Sequence, residues 1–298
     1  MRVGPCPAPF LRHLHALDFQ EANGSCFMPK ILNQKQVEFY REKGFLAPLA
    51  GIDPADAAAM CEDLSVFEKE QGMSAGDINM KGHLCFRRAY DLTFNERVLD
   101  VVEDLIGPNI LVFASRFWIK KGNDGNYVTW HQDSAYFGLE PNDLVTVWLA
   151  LTEASPEMGC MKVIPKSHLG KTHEHEETFH KQNLLARGQA IPNIDDGAFE
   201  YMALKTGQFS CHHERIVHGS DANQSNNSRI GLGIFYIPTH VKSTIGRRTA
   251  YLVRGMDGYG NWDPDPVPKG RFDQEILDYT KEASLRYVDP QYVQEAHG

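Results

Sequence analysis

The hydrophobic and polar positions of this chain change rhythm twice. Beyond Met28 the first signals are helical: Asn33 is a suitable N-cap for a helix over Gln34–Lys43, and Gly44 closes it. Asp53-Pro54 repeats the start signal with proline at the first helical position, and apolar spacing carries a second helix to about Glu70. Asn95 caps a third, in which Val98, Val101, Val102, Leu105 and Ile106 make an i, i+3, i+4 stripe that stops at Gly107-Pro108. After Gly107 the rhythm shortens. Ile110–Lys120 is rich in β-branched and aromatic residues. Leu144–Leu151, Cys160–Ile164, Gln208–Cys211 and Ile230–Ile237 are short apolar runs between clusters of Gly, Pro, Asn and Asp. Such runs predict a mainly-β sandwich or barrel with the early helices packed outside it. A last helix is expected near Phe272–Arg286, after the turn-rich stretch Gly255–Gly270.

The first 27 residues follow neither rhythm. Pro5, Pro7, Pro9, His13 and His15 interrupt the apolar stretch, which argues against a signal peptide. The expectation is a loosely ordered arm over 1–27 that carries no chemistry, followed by a single domain over 28–298. A chain of 298 residues with 42% hydrophobic content buries a large core without further help. Its net charge of −9, without basic clusters, argues against nucleic acid as a partner. No apolar run approaches the ~20 residues of a membrane helix. The partner expected is therefore a small-molecule substrate, and no pattern speaks to oligomeric state. Six scattered cysteines without a C-x-x-C pair read as reduced thiols in a cytoplasmic compartment.

Candidate chemistry centres on His131, Gln132 and Asp133, with His218 and Arg229 downstream. Two histidines and a carboxylate in H-x-D…H order suit a mononuclear non-haem iron(II) site, leaving positions open for a cosubstrate and dioxygen. On a strand His131 and Asp133 would point to one face. Arg229, eleven residues past His218, can reach back from the next strand to a carboxylate, as an enzyme consuming 2-oxoglutarate requires. A lone H-x-D triplet is weak, because most are ordinary polar residues; the combination with a distant histidine and arginine is what carries weight. Two rival assignments exist. His212 or His213 could supply the third ligand, since His212 and His218 would share a face on one strand. His173-Glu174-His175 resembles a metal clamp, but its acidic loop Lys171–Thr178 reads better as a solvated or lid segment. Zinc accepts the same ligands but gives Arg229 no role.

These residues resemble the phytanoyl-CoA dioxygenase family of iron(II)/2-oxoglutarate oxygenases. The resemblance rests on Gly107-Pro108-Asn109-Ile110, Trp130-His131-Gln132-Asp133 with Tyr136-Phe137, and Trp148-Leu149-Ala150-Leu151. It continues in Gly159-Cys160-Met161, Ile164-Pro165-Lys166-Ser167-His168, and His218-Gly219-Ser220 with Asn223, Ser225 and Arg229. Lys166 departs from the glycine often found before Ser-His there. The resemblance implies a double-stranded β-helix (a jelly roll, cupin-like) with flanking α-helices. It implies Fe(II), 2-oxoglutarate and O2 as cofactor and cosubstrates, with His131, Asp133 and His218 as the metal ligands and catalytic centre. Arg229, Ser220, Trp148 and Lys81 would contact 2-oxoglutarate, and His83, Arg116 and Gln132 would face the substrate. Arg87, Arg88, Arg116 and Arg254 are candidates to hold an anionic group, although no basic strip fits coenzyme A. Related halogenases replace the carboxylate of the H-x-D motif with a small residue, so Asp133 implies hydroxylation of an unactivated C–H bond in a small polar metabolite or natural-product intermediate, releasing succinate and CO2. Desaturation, ring closure or phosphonate oxidation would use the same iron site, and a non-catalytic jelly-roll binding protein is the remaining alternative.

Overall fold

The computed structural model describes residues 29–195 and 197–288; the arm expected over 1–27 lies outside them. The capped helices form where their caps stand. Helix α1 (Gln34–Lys43) starts at Asn33, whose side chain accepts from the Gln36 amide while Gln36 bonds back to Asn33. A strand, β1 (Phe45–Ala50), separates it from α2 (Pro54–Gln71), which Asp53 caps. Then come the short α3 (Arg87–Leu92) and the Asn95-capped α4 (Glu96–Ile106).

Strands follow: β2 (Ile110–Lys120), β3 (Val128–His131), the single turn α5 (Ser134–Phe137), β4 (Leu139–Glu140), β5 (Val145–Ala150) and β6 (Met161–Ile164). A long excursion follows, containing the short strands β7 (Glu176–Glu177) and β8 (Gln189–Ala190). After it come β9 (Glu200–Met202), β10 (Gln208–His213), β11 (Val217–Ser220) and β12 (Arg229–Pro238). The final elements are β13 (Lys242–Ser243), β14 (Thr249–Arg254), β15 (Asp263–Pro264) and α6 (Gln274–Val288).

A seven-stranded sheet runs β1-β10-β5-β12-β2-β14-β15, and a four-stranded sheet runs β3-β11-β6-β9. Side chains of both line one cavity, giving the double-stranded β-helix with helices outside. Strand alternation explains how the larger sheet serves two purposes. In β5, Val145, Val147 and Leu149 join Phe209, Leu232, Ile234 and residues of α1, α2 and α4 in the main core. Their neighbours Thr146 and Trp148 turn the other way and line the cavity. The same parity puts Phe117 and Ile119 of β2 against the helices and Trp118 in the cavity.

The observed runs differ from expectation mainly at their ends, but two differences bear on the site. His212 and His218 do not share a strand: one belongs to β10 of the large sheet and the other to β11 of the small one. β3 ends at His131, so Asp133 is not a strand residue; its backbone is already right-handed helical, with φ −59° and ψ −37°.

Candidate active site

His218 and His131 are brought together by strand register. β11 lies antiparallel to β3 with these two residues directly opposite, and their ring centroids are 4.1 Å apart. Asp133 joins them because the chain turns as the strand ends, bringing its Oδ1 to 3.6 Å from His131 Nε2. One ligand atom from each of His131, Asp133 and His218 lies within 4.8 Å of the others. Each imidazole faces a carbonyl two residues earlier: His131 Nδ1 is 2.9 Å from Thr129 O and His218 Nδ1 is 3.0 Å from Ile216 O. A carbonyl only accepts, so Nδ1–H donates and the Nε2 lone pair is left for a metal.

Charge states follow from burial. Burial alone would raise the Asp133 carboxyl, but the side chains of His131, His218 and His212 around it bring it down to about 2. Burial pushes His218 well below the ordinary imidazole range. An ionised carboxylate beside neutral imidazole is the donor state a divalent metal needs. His212 lines the same cavity with its ring 4.7 Å from that of His218, and neither of its nitrogens has a protein partner. It stays outside the close donor group. His213 Nδ1 accepts from the Arg215 amide at 3.1 Å. His173 and His175 belong to the excursion over the site: His175 Nε2 accepts from the Gln132 amide at 2.9 Å, and the His173 amide donates to Gln132 Oε1 at 2.7 Å.

On one side of the donors the cavity is walled by Trp148, Ser220 and Arg229. Arg229 opens β12, and its guanidinium lies 5.3 Å from the Trp148 ring. It donates to Gly159 O at 2.9 Å, and its Nε is buried without a partner. Among the described residues no carboxylate pairs with it, and burial lowers its pKa to about 10. Gly231, two residues on, makes room for Trp148: a Cβ there would meet Cζ2 of that ring at 2.1 Å. Beside Arg229 in register stands Lys120, fully buried, whose Nζ donates to Ser220 Oγ and Asp221 O, both at 2.6 Å. Burial, and then the charge of Arg229, bring Lys120 down to about 6.

Lys81, expected on the cosubstrate, is placed elsewhere. Its ammonium donates to Asp265 Oδ2 at 2.7 Å and Thr249 O at 2.8 Å, and it lines a separate cavity of about 310 Å³ under α6. His83 likewise lies off the cavity, with Nδ1 2.7 Å from Ser115 Oγ and its ring against Tyr251. Gln132 is fully buried and spends its amide on Arg215 O at 2.6 Å and on the excursion loop. Of the arginines, Arg87, Arg88 and Arg254 are paired with Asp91, Asp63, and Asp100 plus Glu103. Arg116 alone of the four lines a chamber that also holds His131 and Asp133.

A family model described as phytanoyl-CoA dioxygenase matches residues 20–231, more than half of the chain. The chain belongs to the phytanoyl-CoA dioxygenase family. This is a family of iron- and 2-oxoglutarate-dependent oxygenases using Fe(II), 2-oxoglutarate and O2. A probable alpha-ketoglutarate-dependent hypophosphite dioxygenase of Stutzerimonas stutzeri is 28% identical over 66% of this chain and 67% of its own. The human peroxisomal phytanoyl-CoA dioxygenase is 23% identical, over 67% of this chain and 66% of its own. A Caenorhabditis elegans homologue of phytanoyl-CoA dioxygenase domain-containing protein 1 is 30% identical over 46% of this chain. The matched stretch spans half to two thirds of these relatives' own length. Among solved structures, the non-heme monooxygenase ThoJ superposes with a TM-score of 0.75 at 29% identity, covering 88% of this chain and 98% of that one.

As a member of this family the protein has residues that fit both groups. Two imidazoles and a carboxylate suit Fe(II) with positions to spare, and the Arg229 guanidinium, its Nε free and no carboxylate paired with it among the described residues, suits the far carboxylate of 2-oxoglutarate. Sequence reasoning missed Lys120, Gln189 and Tyr287. For Lys120 a signal existed, since Arg116, Trp118 and Lys120 alternate along β2 on the side away from the core.

Proposed function

We propose that this protein is an Fe(II)/2-oxoglutarate-dependent hydroxylase acting on a small polar molecule, releasing succinate and CO2. The observation that carries the reading is the meeting, in one cavity, of three metal donors and a buried arginine without an acidic partner. Bound together, iron and 2-oxoglutarate supply the oxidising power that breaks an unactivated C–H bond. The chain's own residues do the rest. His131, Asp133 and His218 would hold the metal, their imidazoles fixed by Thr129 and Ile216. Arg229 orients the cosubstrate by a charge-assisted contact, and Lys120 fixes Ser220 beside it. Trp148 closes the wall and excludes water. The presence of Asp133 in the metal triad supports hydroxylation over halogenation.

Anaerobic addition of Fe(II) and 2-oxoglutarate tests the reading: a weak visible charge-transfer band is expected, and is expected to vanish in His131→Ala. A succinate-release screen across amino acids, phosphonates and acyl thioesters then finds the substrate, with product mass separating hydroxylation from desaturation or ring closure. No band in the unaltered protein would favour a non-catalytic binding domain.

A further inference from the structure

Two guanidinium groups flank the metal donors, and 2-oxoglutarate accounts for only one of them. Arg229 lines the cavity on the side of Trp148, while Arg116 lines a second chamber; His131, Asp133 and Trp118 border both. Arg116 leaves β2 on the same face as Trp118, with its guanidinium 4.4 Å from that ring. It donates once, to Leu184 O at 2.7 Å, and its Nε is buried without a partner. No carboxylate pairs with it among the described residues, whereas Arg87, Arg88 and Arg254 each have one. An enclosed cation without a counter-charge is unfavourable, and a ligand anion removes the penalty. Facing the same chamber is Tyr287 of α6, whose hydroxyl accepts from Gln189 Nε2 at 3.3 Å. Its own proton has no acceptor among the described residues, so it too can donate.

We propose that Arg116, seconded by Tyr287, is the anchor for the substrate, and that the substrate carries an oxyanionic group (carboxylate, phosphonate or phosphinate) close to the bond that is oxidised. The proposal rests on the function proposed above and adds the substrate's class. A guanidinium presents a planar fork to two oxygens of one anion, which an ammonium cannot. The competing possibility is that Arg116 only clamps the loop at Leu184 onto Trp118.

Calorimetric titration separates the two, using protein loaded anaerobically with Fe(II) and 2-oxoglutarate so that Arg229 is already occupied. Butyrate and butylphosphonate are the anionic probes, with butyramide as the neutral one. The anions are expected to bind at least about tenfold more tightly than butyramide, and Arg116→Leu to erase that preference. Arg116→Lys, which keeps the charge and is the safer variant to fold, is expected to retain only part of it. The visible chelate band reports that the metal site has survived in each variant. Arg116→Leu that keeps the band and the anion preference overturns the proposal, as does an unaltered protein with a normal band and no preference. Failure of the band itself in the unaltered protein overturns the reading of the metal site, and this proposal with it.

Discussion

Asp133 stands two residues past the end of β3, where the backbone has already turned into a helical conformation. That turn, and not strand parity, is what carries its carboxylate to His131. Loss of residues that merely orient metal ligands costs about 10–100-fold in affinity or activity, so removal of a ligand should exceed that. Asp133→Ala is expected to lower turnover more than about a hundredfold, measured as succinate release, with the circular dichroism spectrum unchanged. Arg229→Ala should act differently. Truncating one side of a buried charge pair costs about 2–5 kcal/mol, so the 2-oxoglutarate KM should rise by at least about thirtyfold while kcat falls less. At this scale the sequence was legible where chemistry is written in a local motif. It misled at Lys81, because the partner that captures it, Asp265, lies 184 residues further on. Nothing local to Lys-Gly-His-Leu announces that carboxylate.

The helices were readable from their caps, since the side chains of Asn33, Asp53 and Asn95 each accept a hydrogen bond from a backbone N–H of the first turn. The short strands of the small sheet were not. β3 and β11 contribute only four residues each, among them histidine and glycine, and pair because the two chains are brought side by side by the rest of the fold. The pairing of β5 with β12 shows how closely one element is fitted to another. Gly231 lies across the sheet surface from Trp148, and a methyl group there would overlap the indole. Gly231→Ala should therefore destabilise the fold by about 1–3 kcal/mol, read as a lowered denaturation midpoint, and should weaken 2-oxoglutarate binding because Trp148 is part of that wall. A loss of stability with binding untouched would mean that the indole is not needed for the cosubstrate.

Across the whole molecule, α6 closes back over the chamber near the metal donors, and with it Tyr287 arrives from more than 150 residues away in the chain. No periodicity in Gln274–Val288 marks that residue among the others, which is why the last helix could be foreseen and its part in the site could not. Interior charge also shows at this scale. Glu214 is fully buried between the two sheets' histidine strands, with Oε1 accepting from the Leu144 amide and Oε2 unpartnered, and burial raises its pKa to about 8. In the unfolded chain a glutamate titrates near about 4.3. Between those values the native protein keeps a proton that the unfolded chain gives up, so stability falls as pH rises through the window. Glu214→Gln should remove that slope. At pH 8.5 the variant is expected to melt at least about 4 °C higher than the parent, with the gap narrowing towards pH 5; an equal Tm at both pH values would count against it.

Lys120 and Arg229 sit side by side across β2 and β12, and among the described residues no acid forms an ion pair with either. The cost of burying two basic groups together falls on the folded chain alone, since unfolding lets both return to water. Any dicarboxylate that settles there relieves it, so 2-oxoglutarate should act as a folding ligand as well as a reactant. At a hundred times its Kd such a ligand adds about 2.7 kcal/mol to stability. A protein held together in part by its own fuel would resist proteolysis when that keto acid is plentiful and be cleared faster when it is scarce.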